Sequence, residues 1–163
     1  MPNLILMRHA KSSWKVAGQR DHERPLNKRG QEDAPAMARR IIDAGWAPQL
    51  VLVSDAARTE ETWAWMRDAF EHDVPFRLVS RLYHAGPGDM ITSIEEAVTD
   101  EETVLLLAHN PGLEDAILDW TGEAVTMRTS NAVLLSHTLP WKQALGRADW
   151  RLGTLLLAPS QDG

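Results

Sequence analysis

The opening of the chain, residues 3–9, is the feature that most constrains its fold. Four consecutive apolar residues, 4–7, are followed directly by Arg8 and His9. An apolar run of this kind is too short for a typical helix and is typical of a central strand buried on both faces. Open α/β sheets bind ligands at the carboxyl ends of such strands. We therefore expect Arg8 and His9 to line a site at that edge of a sheet.

Further short apolar runs alternate with segments of helical periodicity. The last two runs have no convincing helix between them, so an antiparallel pairing at a sheet edge is expected there. The pattern predicts one α/β domain over residues 1–163, with three α/β/α layers and a mostly parallel central sheet carrying an antiparallel edge strand. The expected strands are 1–9, 49–54, 76–79, 103–108, 132–136 and 152–157, and the expected helices are 27–44, 55–70, 89–98 and a short one after residue 112.

Two helix starts depend on single residues. Asn27 is the expected N-cap of the first helix, but Pro35 conflicts with an uninterrupted helix, which should either kink there or begin later. Asp89 is the expected N-cap of the third helix. The connection over residues 10–26 is unusually long, which is uncommon unless a loop binds something.

Charge and composition exclude several classes of function. Acidic residues outnumber basic ones, 23 against 17, and the net charge of −6 disfavours nucleic acid and anionic lipid as partners. The chain has no cysteine, which rules out disulfides, thiolate catalysis and cysteine metal sites. The opening run lacks the features of a signal peptide or a membrane span, so a cytoplasmic protein is the default expectation.

Polar side chains follow three of the predicted strands. Arg8 and His9 follow the first, Ser54 and Arg58 the second, and His109 the fourth. Because parallel strands share one carboxyl edge, these residues should converge on a pocket for a multiply charged oxyanion. The planar fork of arginine matches phosphate oxygens, so phosphate is the leading ligand, and neither a metal nor a cofactor is expected.

Four motifs follow one another along the chain: LMRHAKS (6–12), RPLNKRG (24–30), SDAARTEET (54–62) and AHNPG (108–112). Together they resemble the motifs of the histidine phosphatase superfamily, whose fold is phosphoglycerate mutase-like. The short chain and the His-Asn-Pro element are similar to the branch of small phosphohistidine phosphatases. The resemblance implies that His9 is the nucleophile, that Arg8, Arg58 and His109 bind phosphate, and that the substrate is phosphohistidine on a protein domain.

The residue types fit that chemistry. A nucleophilic His9 must be neutral at one nitrogen, and Arg8 and Arg58 should lower its pKa by opposing a second positive charge. Attack on phosphorus would give a covalent phospho-His9 that water then hydrolyses. The equatorial oxygens would be held by the two arginines and by His109, which we expect to be protonated once the phosphate dianion is bound.

The proton donor is the departure from the family pattern. Many members carry a carboxylate after the third strand, but residues 82–85 read Leu-Tyr-His-Ala, and no proton donor is assigned. The nearest carboxylates are Asp89, Asp21 and Glu23. Because an alkoxide needs a proton to depart whereas imidazole leaves more readily, a missing acid favours a phosphoramidate substrate. The alternatives are a phosphatase of a small phosphoester or phosphoanhydride, and a non-catalytic phosphoryl-binding module.

Other polar and aromatic residues have simpler expected roles. Turn or cap duty is the favoured role of Ser12, Ser54 and Asn110, and Arg24 is expected to be structural. Trp14 is a residue that could touch substrate. His22, His72 and His137 are expected at the surface.

Overall fold

Six strands form a single mixed sheet in the computed structural model, which describes residues 1–161. Their order across the sheet is β3-β2-β4-β1-β5-β6. Strands β1 to β4 are parallel, whereas β5 is antiparallel to β1 and β6 is antiparallel to β5. The strands are β1 (Asn3–Arg8), β2 (Leu50–Ser54), β3 (Phe76–Val79), β4 (Thr103–Ala108), β5 (Ala132–Ser136) and β6 (Arg151–Leu156).

Helices cover both faces of this sheet, as the three-layer prediction requires. Alternate residues of β1 point to opposite faces, so Ile5 and Met7 pack under one helical layer while Leu4 and Leu6 pack under the other. The first layer contains α1 (Lys28–Asp43) and α2 (Ala57–Met66), and the second contains α3 (Pro87–Ala97), α4 (Gly112–Thr121) and the short α5 (Trp141–Ala144). The central strands are therefore apolar throughout because both of their faces are buried.

The first helix begins where Asn27 caps it. The Asn27 side chain accepts a hydrogen bond from the Gly30 amide at 2.9 Å, and the helix continues through Pro35 to Asp43. The later start that Pro35 suggested does not occur, because the cap fixes the beginning of the helix at Lys28.

Three local predictions were wrong. Asp89 is not an N-cap: α3 begins at Pro87, and the Asp89 carboxylate accepts from the Gly86 amide at 3.1 Å within the first turn. The connection between β5 and β6 contains the unpredicted helix α5. His137 is buried rather than at the surface, because it packs against the Trp150 ring and bonds Asp149 Oδ1 at 2.7 Å.

Candidate functional site

His9 lies immediately beyond β1, buried at the carboxyl edge of the sheet. Its Nδ1 is 2.7 Å from the carbonyl oxygen of Ala10. Because a carbonyl only accepts, Nδ1 carries the hydrogen of the neutral ring and Nε2 keeps its lone pair. That lone pair accepts a hydrogen bond from Arg58 Nε at 3.3 Å. The geometry fixes one tautomer, with Nε2 as the free nucleophilic nitrogen.

Burial keeps the His9 ring neutral. It lowers the pKa of His9 to about 3, and the positive charges of Arg58, Arg8 and Arg24 add to the effect. The sequence predicted a lowered pKa of His9 from the neighbouring arginines alone, whereas the larger cause is the desolvation of the buried ring.

Arg58 belongs to the first turn of α2, which follows β2, and it is almost fully buried. Its Nη1 donates to the Asp21 carbonyl at 2.9 Å and its Nη2 donates to Asp21 Oδ2 at 3.1 Å. Arg8, the last residue of β1, donates from Nη1 to the Met127 carbonyl at 3.1 Å. The Arg8 Nε atom is buried and has no hydrogen-bond partner among residues 1–161.

His109 follows β4, and its ring centroid is 5.2 Å from that of His9. Its Nε2 is 2.8 Å from the hydroxyl of Ser54, the fully buried last residue of β2. The other contact of that hydroxyl is the Ala56 amide, which is itself a donor. Among the described residues, this buried hydroxyl hydrogen has no acceptor other than His109 Nε2, so it is assigned to that nitrogen, and the ring hydrogen then lies on Nδ1.

His109 Nδ1 is also buried and has no hydrogen-bond partner in the part of the chain that the structure describes. Burial, together with the neighbouring His9 and Arg58, lowers the pKa of His109 to about 2, so the ring is neutral. Buried donors without partners are rare in native proteins and require an explanation. Two of them, Arg8 Nε and His109 Nδ1, belong to residues that line the same cavity as His9.

Asp21 connects the long first loop to this site. It lies in a 3-10 turn, Asp21–Glu23, and besides Arg58 it accepts from Arg24 Nε at 3.0 Å and from the Tyr83 hydroxyl at 2.5 Å. These donors, the tyrosine first, hold the pKa of Asp21 well below its usual range. The pKa of Tyr83 is raised by burial and by its bond to Asp21. At neutral pH the pair is an ionised carboxylate and a protonated phenol.

Two adjoining cavities open onto these residues, and they share Asp21, Arg58, His109 and Asn110. The His9 cavity, of about 270 Å³, is lined by His9 and Arg8 and by Trp14 of the long loop. The Tyr83 cavity, of about 450 Å³, adds Tyr83, His84 and Asp115, among others. Glu23 and Asp89, the other carboxylates considered from the sequence, line neither cavity.

Metal and membrane features were searched over residues 1–161. No cluster of three or more His, Cys, Asp or Glu side chains in that range has the arrangement of a metal site. None of the helices described there is both long and apolar enough to span a bilayer.

The sequence profile of the histidine phosphatase superfamily (branch 1) matches residues 4–143. The chain belongs to this superfamily. It is similar to a chloroplastic protein of Arabidopsis thaliana, with 36% identity over 170 residues that cover 96% of this chain and 78% of the relative. Membership supports phosphatase activity, and it confirms the family predicted from the four motifs.

Solved structures confirm the phosphoglycerate mutase-like fold. A protein from Agrobacterium tumefaciens assigned to the SixA phosphohistidine phosphatases matches with a TM-score of 0.79 and 28% identity, over 96% of this chain and 97% of that one. A mycobacterial glucosyl-3-phosphoglycerate phosphatase solved with VO3 shares the fold at a TM-score of 0.69, with 16% identity over 94% and 98% of the two chains.

The structure brings together Arg8, His9, Arg58 and His109, the four residues that the sequence singled out. One further contact was not predicted. The Ser54 hydroxyl accepts from the Ala56 amide, in keeping with the turn role expected of it, and it also bonds His109. Its place at the end of β2, opposite the end of β4, was the available signal.

Three other residues in the loops around the site form hydrogen bonds within the protein. Ser12 accepts a hydrogen bond from Arg24 at 2.8 Å, and Asn110 donates to the Met127 carbonyl at 2.7 Å. Arg24 is buried and pins the loop, in keeping with the structural role expected of it.

Proposed function

We propose that the protein removes the phosphoryl group from phosphohistidine on a partner protein through a covalent phospho-His9 intermediate. The observation that carries this proposal is the pairing of an unprotonated His9 Nε2 with two buried, unpartnered donors, Arg8 Nε and His109 Nδ1, around one cavity. A phosphoryl group supplies what this arrangement lacks, because it has an electrophilic centre and oxygens that accept hydrogen bonds.

In the proposed first step, the lone pair of His9 Nε2 attacks phosphorus. The bond between phosphorus and the substrate imidazole breaks, and its electron pair remains on the departing ring nitrogen. Arg8, Arg58 and His109 bind the equatorial oxygens, where the positive charges of the two arginines and the N–H groups of all three residues stabilise the transition state. Water then attacks phospho-His9 and releases inorganic phosphate, which regenerates the neutral histidine.

The carboxylate that lines the His9 cavity supports a phosphoramidate substrate. Asp21 is ionised and already accepts hydrogen bonds from Arg24, Arg58 and Tyr83, so it has no proton to give to an alkoxide at neutral pH. A substrate imidazole that carries a proton on its other ring nitrogen departs as neutral imidazole and needs no strong acid. The assignment of the Agrobacterium relative to the SixA phosphohistidine phosphatases points the same way.

The second candidate is a phosphatase of a small phosphoester or phosphoanhydride. It is favoured by the glucosyl-3-phosphoglycerate phosphatase that shares the fold, and by the Tyr83 cavity beside the site, which has room for a small metabolite. A non-catalytic phosphoryl-binding module is the third candidate.

The proposal also includes a cytoplasmic location and activity without a metal. Assays in the presence of a chelator test the metal independence.

One comparison separates the three candidates. Initial rates are measured side by side on a phosphohistidine-containing protein, para-nitrophenyl phosphate and a set of sugar phosphates. A preference for phosphohistidine supports the proposal, whereas a preference for sugar phosphates overturns it in favour of the second candidate. The His9→Ala variant should lose both turnover and an acid-labile, base-stable phosphoenzyme. If the wild type binds phosphate but neither turns over nor forms that species, the module remains.

A further inference from the structure

The segment over residues 11–20 is called the rim segment below, because its residues Lys11, Ser12 and Trp14 line the His9 cavity. It contains three basic residues, Lys11, Lys15 and Arg20, and no acidic one, in a protein whose net charge is −6. All three side chains are exposed. The positive charge of the rim segment is therefore local, and it faces solvent beside the proposed phosphoryl site.

Trp14, in the middle of the rim segment, is held in place although it is 75% exposed. The guanidinium carbon of Arg24 lies 3.4 Å from the centre of the Trp14 ring. Arg24 is itself buried and is fixed by bonds to Ser12 and Asp21. The indole thus lies on a rigid support, and much of its surface faces water.

An exposed indole that is ordered in advance suits recognition of a partner. Tryptophan is enriched among the residues that dominate binding energy at protein interfaces, since it supplies a large contact area at a small entropic cost. Val16, two residues further along, is also 59% exposed. An aromatic and an aliphatic side chain are therefore exposed among the basic residues of the rim segment, and the aromatic one lines the cavity.

The proposed reaction sets the direction of the leaving group. In-line displacement places the attacking atom and the departing atom on opposite sides of phosphorus. Because His9 is buried at the base of its cavity, the departing imidazole and the chain that carries it must point towards the mouth. The rim segment is one of the surfaces that this chain would meet there.

We propose that the rim segment is the docking surface for the phosphohistidine protein, with Trp14 as its apolar anchor and its lysines facing an acidic partner surface. The proposal rests on the function proposed above. It commits to a protein whose surface near the phosphohistidine is acidic, because the rim segment is the complementary basic patch. Small phosphoramidates lack the flanking chain and would not use it.

The test compares Trp14→Ala with Trp65→Ala on two substrates. Trp65 is a matched control, because it is a 48% exposed tryptophan of α2 that does not line the His9 cavity. We expect Trp14→Ala to lower kcat/KM for a phosphohistidine protein about tenfold or more beyond its effect on phosphoramidate. The loss should come mainly from a higher KM, and its size is typical of residues that anchor protein interfaces. Trp14→Phe, which keeps a ring over Arg24, should recover part of the loss.

Charge provides a second measurement. Raising the salt concentration should lower kcat/KM more for the protein substrate than for phosphoramidate, and Lys15→Glu should reduce this difference. Equal losses on both substrates for Trp14→Ala would show that the ring only supports the loop and would overturn the inference. The inference would also be overturned if Trp14→Ala and Trp65→Ala gave the same result on both substrates. If the wild type does not hydrolyse phosphohistidine proteins at all, the proposed function itself fails, which is a distinct outcome.

Discussion

The two buried histidines make the stability of this protein depend on pH in a range where few other groups titrate. The ordinary histidine pKa is 6.5, and the folded protein lowers that of His9 to about 3 and that of His109 to about 2. The unfolded chain therefore binds protons below about pH 6.5 that the folded protein refuses. Because protons favour the unfolded state in this range, stability is present above pH 6.5 and is lost progressively as the pH falls towards the folded values.

The magnitude follows from the unfolded-state titration alone, as long as both rings stay neutral in the folded protein. Between about pH 7.5 and pH 5, a group with an unfolded pKa of 6.5 that does not titrate when folded loses about 2 kcal/mol. His9 and His109 together should cost about 4 kcal/mol, which for a domain of this size lowers Tm by about 10 °C. The pKa of Asp21 is depressed in the folded protein, so this carboxylate loses its contribution to stability only below about pH 4. It therefore does not affect the change between pH 7.5 and pH 5.

Chemical denaturation at a series of pH values, in buffers without phosphate, measures this dependence. The His9→Asn variant should lose about half of it, and a variant that also carries His109→Asn should lose nearly all of the part assigned to histidine. Groups elsewhere in the protein titrate alike in the wild type and in the variants, so the difference isolates the two rings. If the wild type and His9→Asn lost equal stability between pH 7.5 and pH 5, the neutral, buried nucleophile described above would be refuted.

Three further substitutions test individual contacts of the site. Ser54→Ala removes the donor to His109 Nε2, so kcat/KM should fall about tenfold to a hundredfold and the ¹⁵N shifts of His109 should show mixed tautomers; an unchanged Nδ1–H tautomer would contradict the assigned hydrogen bond. Tyr83→Phe removes a donor to Asp21 and should change phosphoramidate turnover less than about threefold, whereas a larger fall in kcat would identify the phenol as a proton donor. Gly112→Ala would make a Cβ clash with the Ala85 carbonyl oxygen, so thermal unfolding should show a loss of about 2 kcal/mol or more, and a wild-type Tm would contradict this close approach.

Much of this site could be predicted because its parts occupy the ends of strands. The apolar runs before Arg8 and His109 identify buried strands, and the parallel arrangement then requires their last residues to meet. The helix that follows β2 brings Arg58 to the same edge for the same reason. These inferences need only the periodicity of the chain and the topology of an α/β sheet.

The residues that sequence reasoning missed depend on contacts between segments that lack periodicity. Nothing in the pattern of residues 10–26 indicates that Asp21 bonds Tyr83, since the two belong to separate loops 62 positions apart. His137 was expected at the surface because its position in the sequence has no metal-ligand spacing. It is buried through Trp150 and Asp149, which a loop brings back to it.

The contacts of Arg58 explain how one guanidinium can be held by the protein and still bind substrate. Arginine has five N–H donors, and three hydrogen bonds are formed here, one to His9 and two to Asp21. Two N–H groups therefore remain for phosphoryl oxygens without displacing the carboxylate. When the lone pair of His9 Nε2 forms its bond to phosphorus, it can no longer accept from Arg58 Nε, and a third N–H is released. Asp21 thus orients the arginine, and the attack on phosphorus itself frees an additional donor for the charge that the transition state carries.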